Sequence, residues 1–308
     1  MCFIDWYTMR EKKYIFIGWD SDYDHEMIRI LERSYEIKVI IMPWFLILLY
    51  KLLNKTFGRK SSKIITLIFL KVRLLFENKN STLILKEQDY FNYHYAIKNS
   101  SLNKKLIVRN ILSDQDANRF KNIFSDIYTF DYEQASRFDF YHYNQFFTGE
   151  LIVESIDFSK RTQSDSVYFL GRNKGREPKI ATFSLVLNNL GFTSDFNIVN
   201  DGDKLISYKE SVIKSVNSLG LLEVNLDEQV GLTLRSVESL FFNVKLVTNN
   251  VSIVNEPFYC KSRVFIVYDF DCIDEVELLD FLNTPILKLP TNILDQYRVS
   301  KVFERILT

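Results

Sequence analysis

The sequence predicts an α/β protein made of two Rossmann-like domains. In the first half, short runs rich in β-branched and aromatic residues alternate with helical patterns, which is typical of a parallel sheet. After a polar stretch, the same alternation starts again. The length of 308 residues is about twice that of an ordinary domain, so each half has enough chain to bury its own core.

The first half contains five apolar runs that we interpret as strands. They are Tyr14 to Gly18, Ile37 to Ile41, Thr82 to Leu85, Leu106 to Val108 and Ile127 to Phe130. An aromatic and polar tract follows, and the chain is strongly polar from Ser155 to Ser166. We place the linker between the domains there, so that the first domain covers residues 1–155.

The second half predicts a further set of strands and helices over residues 165–290. The strands are expected at Val167–Leu170, Phe196–Val199, Leu221–Val224, Leu246–Thr248 and Val264–Val267, and the helices at Ile180–Leu190, Tyr208–Val216, Leu234–Phe242 and Asp274–Leu282. A last helix is expected from Ile293 to Leu307, within residues 291–308, where it can pack back against the first domain.

The composition excludes several classes of protein. The 39 basic and 39 acidic side chains cancel, which removes any global charge argument for nucleic-acid binding. Cys2, Cys260 and Cys272 are too few and too scattered for a disulfide framework or a thiolate metal site. The first residues lack the apolar core of a secretory signal, so we expect a protein of the reducing cytoplasm.

The segment 39–76 is both apolar and basic. Its apolar run, from Val39 to Tyr50, is too short to span a bilayer and contains Pro43. No acidic residue occurs from Lys51 to Phe76, whereas seven cations do: Lys51, Lys55, Arg59, Lys60, Lys63, Lys71 and Arg73. The favoured interpretation is a surface that lies against the anionic inner face of the cytoplasmic membrane. The alternative is that residues 40–53 form a buried core helix followed by solvated lysines.

A glycine-containing turn, Gly171 to Arg176, lies between a predicted strand and the helix that follows it. Such a turn at the carboxyl end of a parallel strand offers backbone N–H groups to a phosphate. Arg172 and Lys174 are the cations expected to add charge. The spacing matches neither the dinucleotide fingerprint nor the Walker loop, so an ordinary solvated turn stays open.

A second motif runs from Gln229 to Glu238 and begins a helix. Thr233 is the expected N-cap, and Arg235 falls in the first turn, where a cation opposes the helix dipole unless an anion is bound. Arg235 therefore suggests a phosphate ligand, and Glu238 is suited to accept hydrogen bonds from sugar hydroxyls. A surface ion pair between the two side chains is the alternative.

The series YFLGRNKGR, FNIV, ISY and GLTLRSVESLFFNVKLVTNN, over residues 165–268, resembles the donor domain of bacterial lipopolysaccharide and capsule glycosyltransferases of the GT-B fold. That resemblance implies two Rossmann-like domains facing a cleft, a nucleotide-diphosphate sugar donor and a lipid-linked or core oligosaccharide acceptor. We expect no cofactor. Because Arg172, Lys174, Arg235 and the start of the helix can stabilise the charge of the leaving diphosphate, we also expect that no metal ion is needed. The donor-binding residues that it implies are Gly171, Arg172, Lys174, Tyr208, Gln229, Gly231, Thr233, Arg235 and Glu238. The sequence departs from the commonest retaining pattern because Val230 stands where a glutamate is expected, which leaves the stereochemistry open.

An acidic run, Asp20 to Glu26, follows the first predicted strand. It does not fit an EF-hand, because His25 and Leu31 stand where glycine and glutamate are needed. Under the glycosyltransferase interpretation, Asp20, Asp22 or His25 is the general base of the reaction. The alternative is that these residues only cap the following helix. Asp269 and Asp271 form a second D-x-D pattern, which we interpret as part of a helix start.

Two other functions remain compatible with the sequence. One is a magnesium-dependent phosphate-transferring enzyme that uses Asp20 and Asp22. The other is a noncatalytic member of a polysaccharide-assembly complex with a degenerate donor site.

Overall fold

The computed structural model describes residues 12–157, 161, 164–200, 202–204, 206–226 and 231–308, with the backbone alone at 59–62, 89–92, 94 and 95. The chain divides into two compact units. The first comprises Met1–Tyr143 with Phe303–Thr308, and the second Asn144–Val302.

The first unit contains a parallel sheet with helices between its strands. In the described part of the chain its strands are β1 (Lys13–Ile17), β2 (Glu36–Ile40), β3 (Thr82–Lys86), β4 (Asn103–Val108), β5 (Asp126–Thr129) and β6 (Tyr141–His142), in the order β2-β1-β3-β4-β5-β6. The connecting helices are α1 (Asp22–Leu31), α2 (Trp44–Leu74), α3 (Glu87–Lys98), α4 (Asp114–Lys121) and α5 (Tyr132–Phe138). The inner strands are buried almost throughout, because helices cover both faces of a parallel sheet.

The second unit repeats this plan. Its described strands are β7 (Ser166–Arg172), β8 (Thr193–Val199), β9 (Gly220–Glu223), β10 (Lys245–Thr248) and β11 (Val264–Ile266), all parallel and in the order β11-β10-β9-β7-β8. Its described helices are α6 (Glu150–Glu154), α7 (Glu177–Asn189), α8 (Tyr208–Asn217), α9 (Leu234–Phe242), α10 (Glu275–Asn283) and α11 (Thr291–Asp295). The last helix, α12 (Val299–Leu307), begins in the second unit and ends in the first. The predicted class, two Rossmann-like α/β domains, is confirmed.

The two faces of the second sheet carry different helices. Ile180 and Phe183 of α7 belong to the core on one face, with Leu278 of α10. Val212 of α8 and Val237 of α9 belong to the core on the other face. The neighbouring strands β7 and β9 are therefore followed by helices that pack on opposite faces of the sheet. In open α/β sheets a ligand-binding crevice forms at such a switch point, at the carboxyl ends of the strands.

The end of the chain is tied to the first sheet. The Tyr14 hydroxyl of β1 donates to the carbonyl of Leu307, and Lys105 Nζ of β4 lies 2.7 Å from the carbonyl of Ile306. The last carbonyls of a helix have no partner within the helix, so these side chains satisfy the end of α12. The positive charge of Lys105 also suits the negative end of the helix dipole.

Three boundaries in the structure differ from those expected, for identifiable reasons. Strand β7 continues through Arg172, because Gly171 and Arg172 pair with β8. The final helix is broken into α11 and α12, since the backbone N–H of Phe147 donates to the carbonyl of Tyr297. The units part after Tyr143, before the predicted linker, because Ile152 of α6 packs in the second core.

Helix α2 carries a large apolar surface. Trp44 is 76% exposed, Leu48 61% and Leu52 57%, so the alternative that residues 40–53 form a buried core helix is wrong. The helix is kinked at Gly58, where φ is 79°, and Leu70 in its second part packs into the first core. No helix in the described part of the chain is long and apolar enough to cross a membrane.

Candidate functional site

The start of α9 lies beside the carboxyl end of β9 and is fixed by a buried carboxylate. Thr233 is the N-cap, as predicted, and its hydroxyl accepts a hydrogen bond from the Arg235 backbone at 3.1 Å. The buried Glu223, the last residue of β9, accepts hydrogen bonds from the hydroxyls of Thr233, Ser236 and Thr248. This carboxylate therefore ties α9 to the edge of the sheet.

Arg235 and Glu238 form a buried ion pair. Arg235 Nη1 lies 3.2 Å from Glu238 Oε2, and the two side chains are only 14% and 3% exposed. Arg235 Nη2 also donates to the carbonyl of Leu170 at 2.9 Å, which anchors α9 to β7. The alternative of a solvent-exposed surface pair is thus wrong, because both side chains are largely withdrawn from solvent.

Tyr208 completes the surroundings of Glu238. Its buried hydroxyl lies 3.1 Å from Thr148 Oγ1 and also bonds to the Glu238 carboxylate. Burial raises the pKa of the Glu238 carboxyl, while Arg235 and Tyr208 oppose that rise. Burial also raises the pKa of the Tyr208 hydroxyl well above its usual value. Glu238 is thus held in one orientation by a cation and a hydroxyl.

Arg176 crosses the crevice from the other side. Its Nη1 donates to the carbonyl of Val224 at 2.9 Å, just beyond β9. Its Nη2 and Nε donate to the carbonyls of Arg172 and Asn173, at 2.5 and 3.4 Å. Burial lowers the pKa of the Arg176 guanidinium, and the nearby charge of Arg235 lowers it further. The guanidinium groups of Arg176 and Arg235 therefore lie near each other at the ends of β7 and β9, and the ion pair found there among the described residues joins Glu238 to Arg235.

The turn after β7 explains why Arg176 reaches this position. Lys174 and Gly175 both have positive φ, 44° and 79°, so the backbone reverses and brings Arg176 back over the end of the strand. A Cβ on Gly171 would lie 2.9 Å from Phe169 Cζ and 3.2 Å from Arg176 Nη2, so glycine is needed there. Arg172 and Lys174 themselves are exposed.

Two further predicted donor residues lie before α9. Gly231 precedes the N-cap, and its carbonyl lies 3.5 Å from Asn250 Nδ2. Gln229 lies outside the described residues.

A cavity of about 630 Å³ opens at the same carboxyl edge of the sheet. Residues directly after β9 and β10 form part of its wall, and the loop after β11, Tyr268 to Asp271, forms another part. Asn225 and Asn249 hold two of these loops together, at 2.7 Å from the Asn225 backbone N to Asn249 Oδ1. These residues were not predicted from the sequence, although each lies within five residues of the end of a strand.

The second D-x-D pattern behaves as a turn. Asp271 donates its backbone N–H to Asp269 Oδ1 at 2.9 Å, and Asp274 caps α10, as predicted for a helix start. In the part of the chain that is described, no group of three or more histidine, cysteine, aspartate or glutamate side chains is placed to hold a metal ion.

The acidic run of the first unit has its buried member at Asp24. Asp24 Oδ2 lies 2.7 Å from Lys86 Nζ, and Asp24 Oδ1 lies 2.9 Å from Arg109 Nη1. Asp20, Asp22 and His25 are exposed, and Asp22 lies with Asp24 in the first turn of α1, as expected for helix capping. Sequence reasoning missed this buried cluster and its two cations.

Known structures share this architecture. Similar folds occur in an α,α-trehalose-phosphate synthase (UDP-forming) from Burkholderia vietnamiensis, with a TM-score of 0.64 at 8% identity over 96% of this chain and 98% of that chain. The chain has a GT-B fold. A UDP-N-acetylglucosamine 2-epimerase from Rickettsia bellii superposes with a TM-score of 0.57 at 11% identity, over 96% and 95% of the two chains. An alpha-glucosyltransferase in complex with UDP and a 13-mer DNA containing a central A:G mismatch gives 0.59 at 10% identity, over 96% and 98%. No protein-family model matches the sequence, and no curated protein does.

Proposed function

We propose that the protein is a glycosyltransferase that moves a sugar from a nucleotide-diphosphate donor to an acceptor. The observation that carries this proposal is the pair of guanidinium groups, Arg176 and Arg235, at the crevice between β7 and β9. Both groups are partly buried, and among the described residues Glu238 is in an ion pair with Arg235 while Arg176 donates to backbone carbonyls. The charge of Arg176 therefore favours an anion such as a diphosphate. Two of the structures above, the α,α-trehalose-phosphate synthase (UDP-forming) and the alpha-glucosyltransferase in complex with UDP, have names in keeping with this proposal.

The proposed mechanism is mainly electrostatic. When the bond between the sugar and the diphosphate breaks, negative charge develops on the leaving group. Arg176 and Arg235 are already fixed by the carbonyls of Val224 and Leu170, so they stabilise that charge without reorganising. The start of α9 adds the positive end of its dipole. We propose that no divalent metal is needed.

The remaining predicted residues keep proposed roles around this centre. Arg172 and Lys174 lie in the exposed turn beside Arg176, where they can add charge at the rim. Glu238 is proposed to contact the nucleotide ribose through a carboxylate that Tyr208 and Arg235 orient. Asp20, Asp22 and His25 remain the candidates for a general base, because their side chains are exposed whereas Asp24 is tied to Lys86 and Arg109.

The proposed acceptor is a membrane-associated glycan of surface polysaccharide synthesis, a lipopolysaccharide O-antigen or a capsule. Support comes from α2, whose exposed apolar side chains lie among lysines in a segment without acidic residues. Such a helix can bind the inner face of the cytoplasmic membrane, where anionic headgroups attract its cations. The enzyme would then share one surface with its lipid-linked acceptor.

The test is the melting temperature in the presence of uridine, guanosine, cytidine, thymidine and adenosine diphosphates, with and without chelator. A ligand that binds only the folded state raises the melting temperature by mass action. We expect one nucleotide to raise it whether or not chelator is present. No rise with any nucleotide would favour the noncatalytic assembly protein. A magnesium-dependent activity that Asp20→Asn abolishes would favour the phosphate-transferring enzyme.

A further inference from the structure

The amino-terminal ends of β10 and β11 hold two buried cations, at the opposite end of the sheet from Arg176 and Arg235. Lys245 is the first residue of β10, and Arg263 directly precedes β11. Because Leu246 pairs with Val264, the two residues before them lie side by side on neighbouring strands. Each is only 2% exposed.

Lys245 is fully engaged. Its ammonium group donates to the carbonyls of Phe281 and Thr284 at the end of α10, and lies 3.4 Å from the carbonyl of Ser262. A cation at this position satisfies the last carbonyls of α10 and suits its dipole. Lys245 thus contributes charge to its surroundings, but its three N–H bonds are already used in hydrogen bonds to these carbonyls.

Arg263 is not satisfied in this way. Its Nη2 donates to Asn243 Oδ1 at 2.6 Å, whereas Nε and Nη1 are buried and have no hydrogen-bond partner among the described residues. These two nitrogens carry three N–H bonds. A buried polar group without a partner costs about 1–3 kcal/mol, and more when it is charged, so an unpaired guanidinium here requires an explanation.

No carboxylate among the described residues compensates the charge of this pair. The charge that acts on Lys245 is that of Arg263, and the charge that acts on Arg263 is that of the Cys260 thiol. The described part of the chain therefore leaves a positive site with three N–H bonds that have no acceptor among the described residues.

We propose that a small tetrahedral oxyanion, inorganic phosphate or sulfate, binds at Arg263, with Lys245 adding charge. A free ion fits better than a phosphate carried by a larger molecule, because Arg263 is almost fully enclosed. The bound oxyanion accepts hydrogen bonds from Nε and Nη1 and joins the start of β11 to the ends of α9 and α10. The site is separate from the donor crevice and goes beyond the proposed function.

Cys260 provides a local reporter of this site. Its Sγ lies 3.2 Å from Ser262 Oγ, and hydrogen bonds from Ser262, with the charge of Arg263, lower the pKa of the thiol. The thiolate is the form that is alkylated. An oxyanion at Arg263 offsets the positive charge and raises the thiol pKa again. A higher thiol pKa lowers the fraction of thiolate and therefore slows alkylation at neutral pH.

The experiment is alkylation of Cys260 by iodoacetamide in the full chain carrying Cys2→Ser and Cys272→Ser, followed by mass spectrometry. Phosphate is increased while chloride keeps the ionic strength constant. We expect a slowing of about threefold that saturates with phosphate, and the same slowing in Lys261→Met, which removes an exposed cation nearby. In Arg263→Met, alkylation should be slow already and insensitive to phosphate.

Two outcomes would overturn the proposal. One is an alkylation rate in the parent chain that does not respond to phosphate, which would mean that water alone fills the site. The other is an equal phosphate effect in Arg263→Met. If that variant does not fold, Arg263→Lys keeps the charge but loses the planar set of donors, and saturation should then need at least tenfold more phosphate. Unchanged saturation in Arg263→Lys would equally contradict the site.

Discussion

The buried ion pair between Arg235 and Glu238 gives the sharpest prediction about stability. Arg235→Met leaves the Glu238 carboxylate, 3% exposed, without its cation. Removing one partner of a buried pair costs about 3–5 kcal/mol, chiefly because the other charge is left uncompensated. The loss of the hydrogen bond to the Leu170 carbonyl is part of that cost. We therefore expect the free energy of unfolding to fall by about 3–5 kcal/mol.

The matched variants are Glu238→Gln and the double variant Arg235→Met with Glu238→Gln. In the double variant no buried charge remains, and the glutamine can still bond to Tyr208, so its cost should be at least about 2 kcal/mol below the sum of the single costs. The assay is urea unfolding followed by far-ultraviolet circular dichroism.

Tryptophan fluorescence serves as an internal control in that assay. Trp6, Trp19 and Trp44 all belong to the first unit, so their signal reports that unit and not the unit with the ion pair. The reasoning is refuted if Arg235→Met unfolds within about 1 kcal/mol of the parent, or if the double variant costs the full sum of the single variants.

Three more predictions address other features. Burial and the charge of Arg263 lower the pKa of Lys245 to about 8, below its value in the unfolded chain, so the unfolded state binds more protons above that pH. In phosphate-free buffer, the free energy of urea unfolding should therefore rise from about pH 8 to 10.5 by up to about 3 kcal/mol relative to Lys245→Met. Parallel pH profiles of the two proteins would contradict this. Gly171→Ala should lower the melting temperature and weaken nucleotide binding, because its Cβ would lie 2.9 Å from Phe169. Gly191→Ala, which has open space around its Cβ but a positive φ of 82°, should lower the melting temperature and leave nucleotide affinity unchanged. Equal nucleotide affinity in the two variants would exclude the steric reason. The double variant Trp44→Glu with Leu48→Glu should bind anionic vesicles at least tenfold more weakly in a sedimentation assay, since each apolar side chain that enters the interface contributes about 1.5–3 kcal/mol. Unchanged sedimentation would rule out α2 as the docking surface.

The sequence predicted helices and strands best where both ends carry a local signal. Helix α9 begins and ends at the predicted residues, because Thr233 caps its start and Asn243 adopts the left-handed conformation at its end. Strand β7 is longer than predicted, since its last two residues are held by pairing with β8 rather than by their own propensity. Pairing between segments that are distant in the sequence cannot be recognised from a local pattern of residues.

The side chains of the candidate site were harder to predict. Three cations occur between Arg172 and Arg176, and only the reversal of the backbone at Lys174 and Gly175 selects Arg176 for the crevice. No periodic pattern of residues in the sequence predicts that reversal of the backbone. Asp24 was different, because a signal existed: Asp24, Met27, Ile28 and Leu31 share one face of α1 and are all buried. An aspartate on an apolar stripe indicates a buried partner, which here is the pair Lys86 and Arg109.

The central claim is that Arg176 and Arg235 hold a nucleotide diphosphate, and calorimetric titration of two variants tests it most directly. Arg176→Gln removes the guanidinium that crosses the crevice, whereas Lys174→Gln removes an exposed cation two residues away in the same turn. A hydrogen bond to a charged group contributes about 1.5–3 kcal/mol, so Arg176→Gln should raise the dissociation constant roughly 10- to 150-fold. Lys174→Gln should change it less than about fivefold, because exposed charges contribute about 1 kcal/mol or less. Equal losses in both variants, or a loss in Lys174→Gln alone, would contradict the claim.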